Sequence, residues 1–217
     1  DLHSFPTRRS SDLEICGYSE IAAGSARMMG IKLSQNFDRQ FSAVSVQKLM
    51  RRWHMTLTSW FTDYVYIPLG GNRKGKARQG LNVLIDYVLC GLWHGANWTF
   101  VLWGLYIWFF MFIEGLVKKP IRNLCSKKNF NLDHPVIVVF RRVVVFVITI
   151  FSTFFFRAES ITQVGEIYKQ FFTTFGFSAS YFNATLNSLG MKVIDIIEIA
   201  LILGVMYKLY DLAYDTS

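Results

Sequence analysis

Apolar and polar positions alternate along the chain in long blocks. Leu81 to Val117 is almost continuously apolar and is interrupted only around Gly91–Asn97. A second apolar block runs from Val136 to Phe156, with Pro135 at the first expected helical position. Apolar runs of about 20 residues are long enough to cross a bilayer as helices, and proline is favoured at the first helical position. The pattern predicts an all-α fold built of transmembrane helices.

Shorter segments have the period of amphipathic helices. Large apolar side chains recur at helical spacing from Leu49 to Tyr64, which predicts a helix at the membrane interface or inside the bundle. Ser160 and Gln163 have the spacing of a capping box, and we expect the helix that follows to be interfacial. Glu14–Gly30 is rich in small residues and resembles the end of a helix, and Met191–Tyr210 is a further candidate span.

Residues 1–13, DLHSFPTRRSSDL, fit none of these patterns. They lack the apolar core that a signal peptide needs. We interpret them as a non-native or unstructured leader, the alternative being a native cytoplasmic arm. Residues 14–217 are then expected to form part of a single transmembrane domain.

The distribution of basic residues also indicates a membrane protein. The formal charge is +8, and much of it lies in two short stretches: Arg73, Lys74, Lys76 and Arg78, then Lys118, Lys119, Arg122, Lys127 and Lys128. Basic loops between apolar runs are typical of membrane proteins, and the positive-inside bias places both stretches in the cytoplasm. A nucleic-acid partner is not expected, because no recognisable nucleic-acid-binding module accompanies the charge.

The sequence argues against two other kinds of site. The three cysteines are far apart in sequence and form no CxxC pair, so no metal site is expected. GGNRKGKA, from Gly70, matches the spacing of a P-loop, but Ala77 replaces the Ser or Thr that would hold magnesium. We interpret this stretch as a basic cytoplasmic loop.

The segment CGLWHGANW places His94 in one of the most apolar parts of the chain. A helix starting near Leu81 reaches His94 after about 20 Å, whereas the hydrocarbon core is about 30 Å thick. Between the two basic stretches the chain either crosses and returns or dips in and comes back. A break at this depth is tolerated only where protein or a watery cavity covers it, so we expect His94 to lie deep in the protein. Buried ionisable groups in membranes usually mark functional paths. We therefore favour a functional His94 over a structural one.

His54 is a second candidate, beside the aromatic stripe of the Leu49–Tyr64 segment. Taken alone, a structural role is the preferred interpretation. As a partner of His94 it becomes more interesting, because two imidazoles can divide the base and orienting roles.

Two separated motifs then resemble a known family. RRWHMTLTSWFTDYVYIPLGGNRKG (51–75) and GLWHGANWTFVLWG (91–104) resemble the membrane-bound O-acyltransferase (MBOAT) family, in its alginate O-acetylase-like bacterial branch. The stretch IPLGGNR favours that branch over relatives that transfer D-alanine to teichoic acid. GYSEIAAGSARMMGIKLSQNF (17–37) and FFFRAESI (154–161) resemble neighbouring segments. The resemblance implies the C-terminal portion of a polytopic transmembrane helix bundle, with interfacial and re-entrant helices, in the bacterial cytoplasmic membrane.

The resemblance also implies a chemistry. His94 matches the catalytic histidine of the family and His54 the second histidine of its RRWH motif. The implied reaction moves an acyl group, usually acetyl, from a cytoplasmic donor to hydroxyls of an extracytoplasmic polysaccharide such as alginate. An imidazole with a pKa near 6.5 can take the hydroxyl proton. Five neighbours of the histidines in the motifs are expected to bind substrate: Trp93, Asn97, Arg52, Trp53 and Asp63.

The resemblance implies partners and a donor as well. The donor is expected to be acetyl-CoA or another acyl thioester, with no tightly bound cofactor. Periplasmic or extracellular acetyltransferase proteins are expected as partners, besides the bilayer and the polysaccharide. Two alternatives remain: a transporter in which His94 and the arginines line a path, and a non-catalytic membrane partner of a secreted transferase. An acyl-transfer assay separates the enzyme from both.

Overall fold

The computed structural model describes residues 11–128, 130–174 and 179–188, with positions 192, 194–195, 197–198, 201–202 and 204–205. Within these residues the chain is helical and contains no β-strand, as the apolar blocks predict. The helices are α1 (Ser11–Met28), α2 (Val46–Arg51), α3 (Met55–Phe61), α4 (Lys76–His94), α5 (Trp98–Lys127), α6 (Pro135–Arg157), α7 (Ile161–Thr174) and α8 (Ala179–Ser188). A 3₁₀ turn (Gln40–Ser42) and a π-helical turn (Thr62–Tyr66) complete the described elements.

The chain divides into two compact units, residues 1–167 and 168–217, with the boundary inside α7. The candidate site lies in the first unit. The predicted span Met191–Tyr210 lies largely outside the described residues, as do residues 1–10 of the predicted leader.

Helices α4 and α5 form the hairpin that the break in the apolar block predicts. Helix α4 ends at His94 and α5 begins at Trp98, with Asn97 as the N-cap. The Asn97 side-chain oxygen accepts a hydrogen bond from the backbone N–H of Thr99 at 3.1 Å, which satisfies one of the free N–H groups at the helix start. Helix α4 begins at Lys76, more than one turn before the predicted start at Leu81.

Helices α5 and α6 are each long and apolar enough to cross a membrane, with mean hydropathy values of 1.9 and 2.2. In the most apolar 18-residue stretch of each helix, only 22% (α5) and 11% (α6) is buried inside the structure. A core helix of a water-soluble protein would bury most of its apolar surface against its own fold, whereas lipid-facing helices need not. The exposed apolar faces of α5 and α6 therefore favour a membrane surrounding over a soluble core.

The helix predicted from Leu49 to Tyr64 is not continuous, and this expectation was wrong. The helix stops after α2 and restarts at α3, because His54 between them has a left-handed backbone (φ 47°, ψ 52°). Histidine is among the residues that adopt this conformation more readily than most. Asn36 holds the break: its backbone oxygen accepts from the Met55 N–H at 2.8 Å, and its side-chain oxygen accepts from the Thr56 hydroxyl at 2.8 Å.

The start of α7 carries the predicted capping interaction. The backbone N–H of Gln163 donates to the Ser160 hydroxyl oxygen at 3.2 Å, and the Gln163 side chain accepts from the Glu159 N–H at 2.6 Å. In a standard capping box the second bond returns to the capping residue itself, so here it is displaced by one position. The capping prediction is confirmed, while the interfacial location stays a prediction.

Candidate functional site

His54 and His94 line the same small cavity. The cavity has a volume of about 30 Å³, and its walls come from α2, α3, α4 and α5 and from the break between α2 and α3. It is lined by Met50, Trp53, His54, Leu57, Thr58, Phe61, Asp86, Tyr87, Cys90, His94 and Trp103. A water molecule needs roughly 10–15 Å³ of such volume, so one or two waters fit. Two imidazoles that are far apart in sequence thus face one small, hydratable space.

His54 is held among aromatic rings. Its side chain is buried, with 6% exposure, and its ring centroid lies 4.8 Å from that of Phe37. The rings of Trp53 and Trp93 lie at 6.3 Å and 6.5 Å, both edge-on. Phe37 belongs to the connector after α1, next to the Asn36 that fixes the backbone break. The connector therefore sets both the backbone conformation and the ring environment of His54.

His94 is the last residue of α4 and is half-buried. Its ring meets Phe156 of α6 edge-on at 5.0 Å and Trp103 of α5 edge-on at 5.3 Å. Edge-to-face contacts of this kind fix the orientation of a ring. The C-terminal end of a helix also favours a positive charge, which an imidazole gains when it accepts a proton. The position suits a group that takes up a proton during a reaction.

Asp86 also lines the candidate site, and the sequence did not single it out. It lines the same cavity as the two histidines, and its Oδ1 atom is buried without a hydrogen-bond partner among the described residues. The available signal was a single carboxylate near the start of the Leu81–Val117 block, about two turns before His94. An ionisable residue in an apolar run of a membrane protein indicates a functional site, and this applies to Asp86 as it does to His94.

Two of the five predicted substrate-binding residues lie beside the histidines. Trp53 lines the cavity. Trp93 is 53% exposed, and its ring contacts His94 edge-on at 5.0 Å. The exposed part of the Trp93 ring is therefore accessible to a ligand beside the His94 imidazole.

The other three predicted substrate-binding residues, Arg52, Asn97 and Asp63, do not line this cavity. The Arg52 guanidinium donates to the Ser42 hydroxyl at 2.8 Å and lies 3.9 Å from the Asp38 carboxylate. Besides capping α5, Asn97 donates from its side chain to the Glu159 backbone oxygen at 3.0 Å, which ties the hairpin to the end of α6. Asp63 is exposed in the π-helical turn. Their substrate roles stay predictions.

A larger cavity, of about 310 Å³, lies further along α4. Its lining includes Lys76 and Lys119, one from each of the two basic stretches, and an apolar wall with the stacked rings of Trp108 and Phe112. The residues of α4 that line the two cavities recur every three or four positions and include two adjacent pairs: Lys76, Gln79 and Gly80, Val83, Asp86 and Tyr87, Cys90 and His94. Such spacings share one helix face. One face of α4 therefore leads from the basic end of the hairpin to the histidines.

The described part of the chain contains no group of three or more His, Cys, Asp or Glu side chains that could hold a metal ion. Two imidazoles, one carboxylate and room for water are suited to moving a proton.

Comparison with known proteins places this arrangement in context. A family model for MBOAT, the membrane-bound O-acyltransferase family, matches residues 6–157. The chain is 36% identical over 180 residues to the probable alginate O-acetylase AlgI of Pseudomonas fluorescens, which is 83% of this chain and 34% of that protein. It is 31% identical over 157 residues to the peptidoglycan O-acetyltransferase of Helicobacter pylori, covering 72% of this chain and 28% of that protein.

A third relative carries a different transfer activity in its name. The teichoic acid D-alanyltransferase of Streptococcus thermophilus is 33% identical over 100 residues, which is 43% of this chain. The chain spans about a third of the length of the alginate O-acetylase, and less of the other two relatives.

Proposed function

Since the chain belongs to the membrane-bound O-acyltransferase family, we propose that the protein is an O-acyltransferase that acetylates hydroxyls of an extracytoplasmic polysaccharide. The observation that carries the proposal is the convergence of His54 and His94 on one cavity at the end of α4. The resident groups of that cavity are suited to taking a proton from a hydroxyl. A sugar hydroxyl is almost wholly protonated at neutral pH and needs such a base to attack.

In the proposed reaction His94 is the base. The hydroxyl oxygen of the acceptor attacks the carbonyl carbon of a thioester while the imidazole takes the hydroxyl proton. A new C–O bond forms, the C–S bond breaks, and the imidazolium returns the proton to the leaving thiolate. His54, held by the Asn36 connector, orients the reacting groups. The transfer is direct, without a covalent acyl-enzyme.

The larger cavity supports a donor of the acetyl-CoA type or another acyl thioester that carries phosphate. Two ammonium groups at Lys76 and Lys119 match phosphate in charge, and the rings of Trp108 and Phe112 match an apolar or aromatic portion. The volume of about 310 Å³ is at the lower end of the range for small-molecule pockets. In the proposal the donor enters at the cytoplasmic end of the hairpin and reaches His94 along one face of α4.

The acceptor is proposed to be alginate or a related polysaccharide, because several relatives that match most of the chain are named probable alginate O-acetylase. Peptidoglycan is the second candidate, from the relative in Helicobacter pylori. The proposed location is the bacterial cytoplasmic membrane, with several spans. Periplasmic or extracellular acetyltransferase proteins are the proposed partners.

The test is acetyl transfer by the complete purified protein in nanodiscs. Labelled acetyl-CoA is supplied with alginate or with peptidoglycan fragments, and label in the polysaccharide is measured over time. The wild type is expected to acetylate alginate, and His94→Ala to lose at least about a hundredfold in rate. A His94→Ala variant that keeps more than about a tenth of the wild-type rate contradicts the role of base. Transport of polysaccharide across the membrane of sealed proteoliposomes, without acetylation, supports the transporter alternative instead.

A further inference from the structure

The carboxylate of Asp86 has an unexplained position. Its Oδ1 atom is fully buried and accepts no hydrogen bond within the described chain, although it borders a cavity that holds two imidazoles. Buried carboxylate oxygens almost always have a donor, because leaving one unpaired costs free energy. We therefore expect the Asp86 carboxylate to pair with a positive charge that forms in the cavity during the reaction.

The surroundings identify that partner. No lysine or arginine lines the cavity, so the two imidazoles are the lining groups that can carry a positive charge. The other titratable groups near Asp86 are Tyr87 and Cys90 on α4. The Arg51 guanidinium at the end of α2 interacts electrostatically with the Tyr87 hydroxyl. Helix α5 contributes Trp103 to the wall, which carries no titratable group.

We propose that Asp86 is a positioning residue of the acyl transfer, which rests on the function proposed above. Its carboxylate acts through one or two waters, for which the cavity of about 30 Å³ has room. It orients the imidazole pair and stabilises the imidazolium that forms when His94 takes the hydroxyl proton. That proton then passes to the leaving thiolate, so Asp86 begins and ends the cycle as a carboxylate.

The experiment compares four forms of the complete protein in nanodiscs: wild type, Asp86→Asn, Asp86→Glu and Asp133→Asn. Asp133→Asn makes the same chemical change at an exposed loop position. For Asp86→Asn we expect kcat to fall about tenfold to a hundredfold, with KM for acetyl-CoA within about twofold of wild type. Asp86→Glu is expected to recover a substantial part of kcat, and Asp133→Asn to behave as wild type.

The pH profile is the readout that a merely structural role would not move. The base must be unprotonated, so kcat rises with pH along an acid limb. Removing a nearby negative charge disfavours the imidazolium, which moves the midpoint of that limb to lower pH, by about one unit. The thermal midpoint of unfolding of Asp86→Asn is measured alongside, and we expect it to stay near the wild-type value.

The outcomes separate the inference from the function beneath it. If His94→Ala is inactive while Asp86→Asn keeps the wild-type kcat and pH profile, the inference fails and the proposed function stands. A loss of kcat with an unshifted pH profile and no recovery in Asp86→Glu also overturns it. Absence of transfer in the wild type overturns the proposed function and the inference with it.

Discussion

Gly91 of α4 and Phe100 of α5 meet through their backbones: a Cβ built on Gly91 would lie 2.2 Å from the Phe100 carbonyl oxygen. A second contact of the same kind follows along the hairpin, where a Cβ on Gly104 would lie 2.3 Å from the carbonyl oxygen of Tyr87. Small residues let membrane helices approach this closely. The two contacts hold α4 closely against α5 in the turns of α4 that precede His94.

Gly91→Ala is predicted to destabilise the protein by about 1–3 kcal/mol, because a methyl group cannot fit against a backbone carbonyl without moving a helix. The matched control is Gly24→Ala in α1, where nothing lies within 4 Å of the added Cβ. Alanine there is expected to be neutral or slightly stabilising, since it favours the helix over glycine. The measurement is thermal unfolding followed by fluorescence-detected size exclusion. Equal stability of the two variants would contradict the close packing.

His54→Asn is predicted to lower the acetylation rate by about tenfold to a hundredfold, less than His94→Ala, because His54 orients the reacting groups and is not the base. The protein is expected to stay folded. Asparagine tolerates the left-handed backbone at this position, so the variant removes the imidazole without adding backbone strain. His134→Asn is the control, because His134 is exposed at the start of α6. Full activity of His54→Asn would assign His54 to packing alone.

The double change Lys76→Gln and Lys119→Gln is predicted to raise KM for acetyl-CoA about tenfold with little change in kcat, because it removes two charges that would meet phosphate. Added salt should reduce the difference between variant and wild type, since it screens the same charges. Lys127→Gln with Lys128→Gln removes two charges from the same basic stretch outside the cavity. If both double variants show the same KM, the donor binds elsewhere.

Cysteines introduced at Lys74 and Lys127 are predicted to react with a membrane-impermeant thiol reagent only when it reaches the cytoplasmic face. The positive-inside bias places both basic stretches there, and Lys76 and Lys119, one from each stretch, line a common cavity. Labelling is compared in intact and permeabilised cells, with the native cysteines replaced. Reaction of the two positions from opposite sides would exclude the hairpin as a membrane arrangement.

The sequence predicted the elements whose signals are local. The span of α6 and the break before α5 follow from apolar runs, from Pro135 and from the glycines around His94. The interruption at His54 could not be predicted, because the groups that hold it come from Asn36, and helical spacing of apolar residues carries no record of such a contact. The apolar surroundings of His94 indicated a functional residue, and the family resemblance gave His54 the same weight, but only the structure places both on one cavity.

Asp86 is the opposite case, because the sequence did contain a local signal for it. Its carboxylate stands among apolar residues, and an apolar run of this length indicates a membrane span more strongly than a site. The spacing from Asp86 through Cys90 to His94 places all three near one helix face, but spacing alone cannot identify which side of a helix faces a cavity.

The Asn36–His54 contact has a consequence for engineering by exchange of segments. The backbone conformation of His54 depends on Asn36, which lies in the connector almost twenty positions earlier in the chain. The ring of Phe37, in the same connector, packs against the imidazole. A chimera that imports only α2 and α3 from a relative would separate the histidine from the groups that shape it. The natural unit of exchange therefore runs from the connector after α1 to the end of α3, and recombination breakpoints should fall outside that interval.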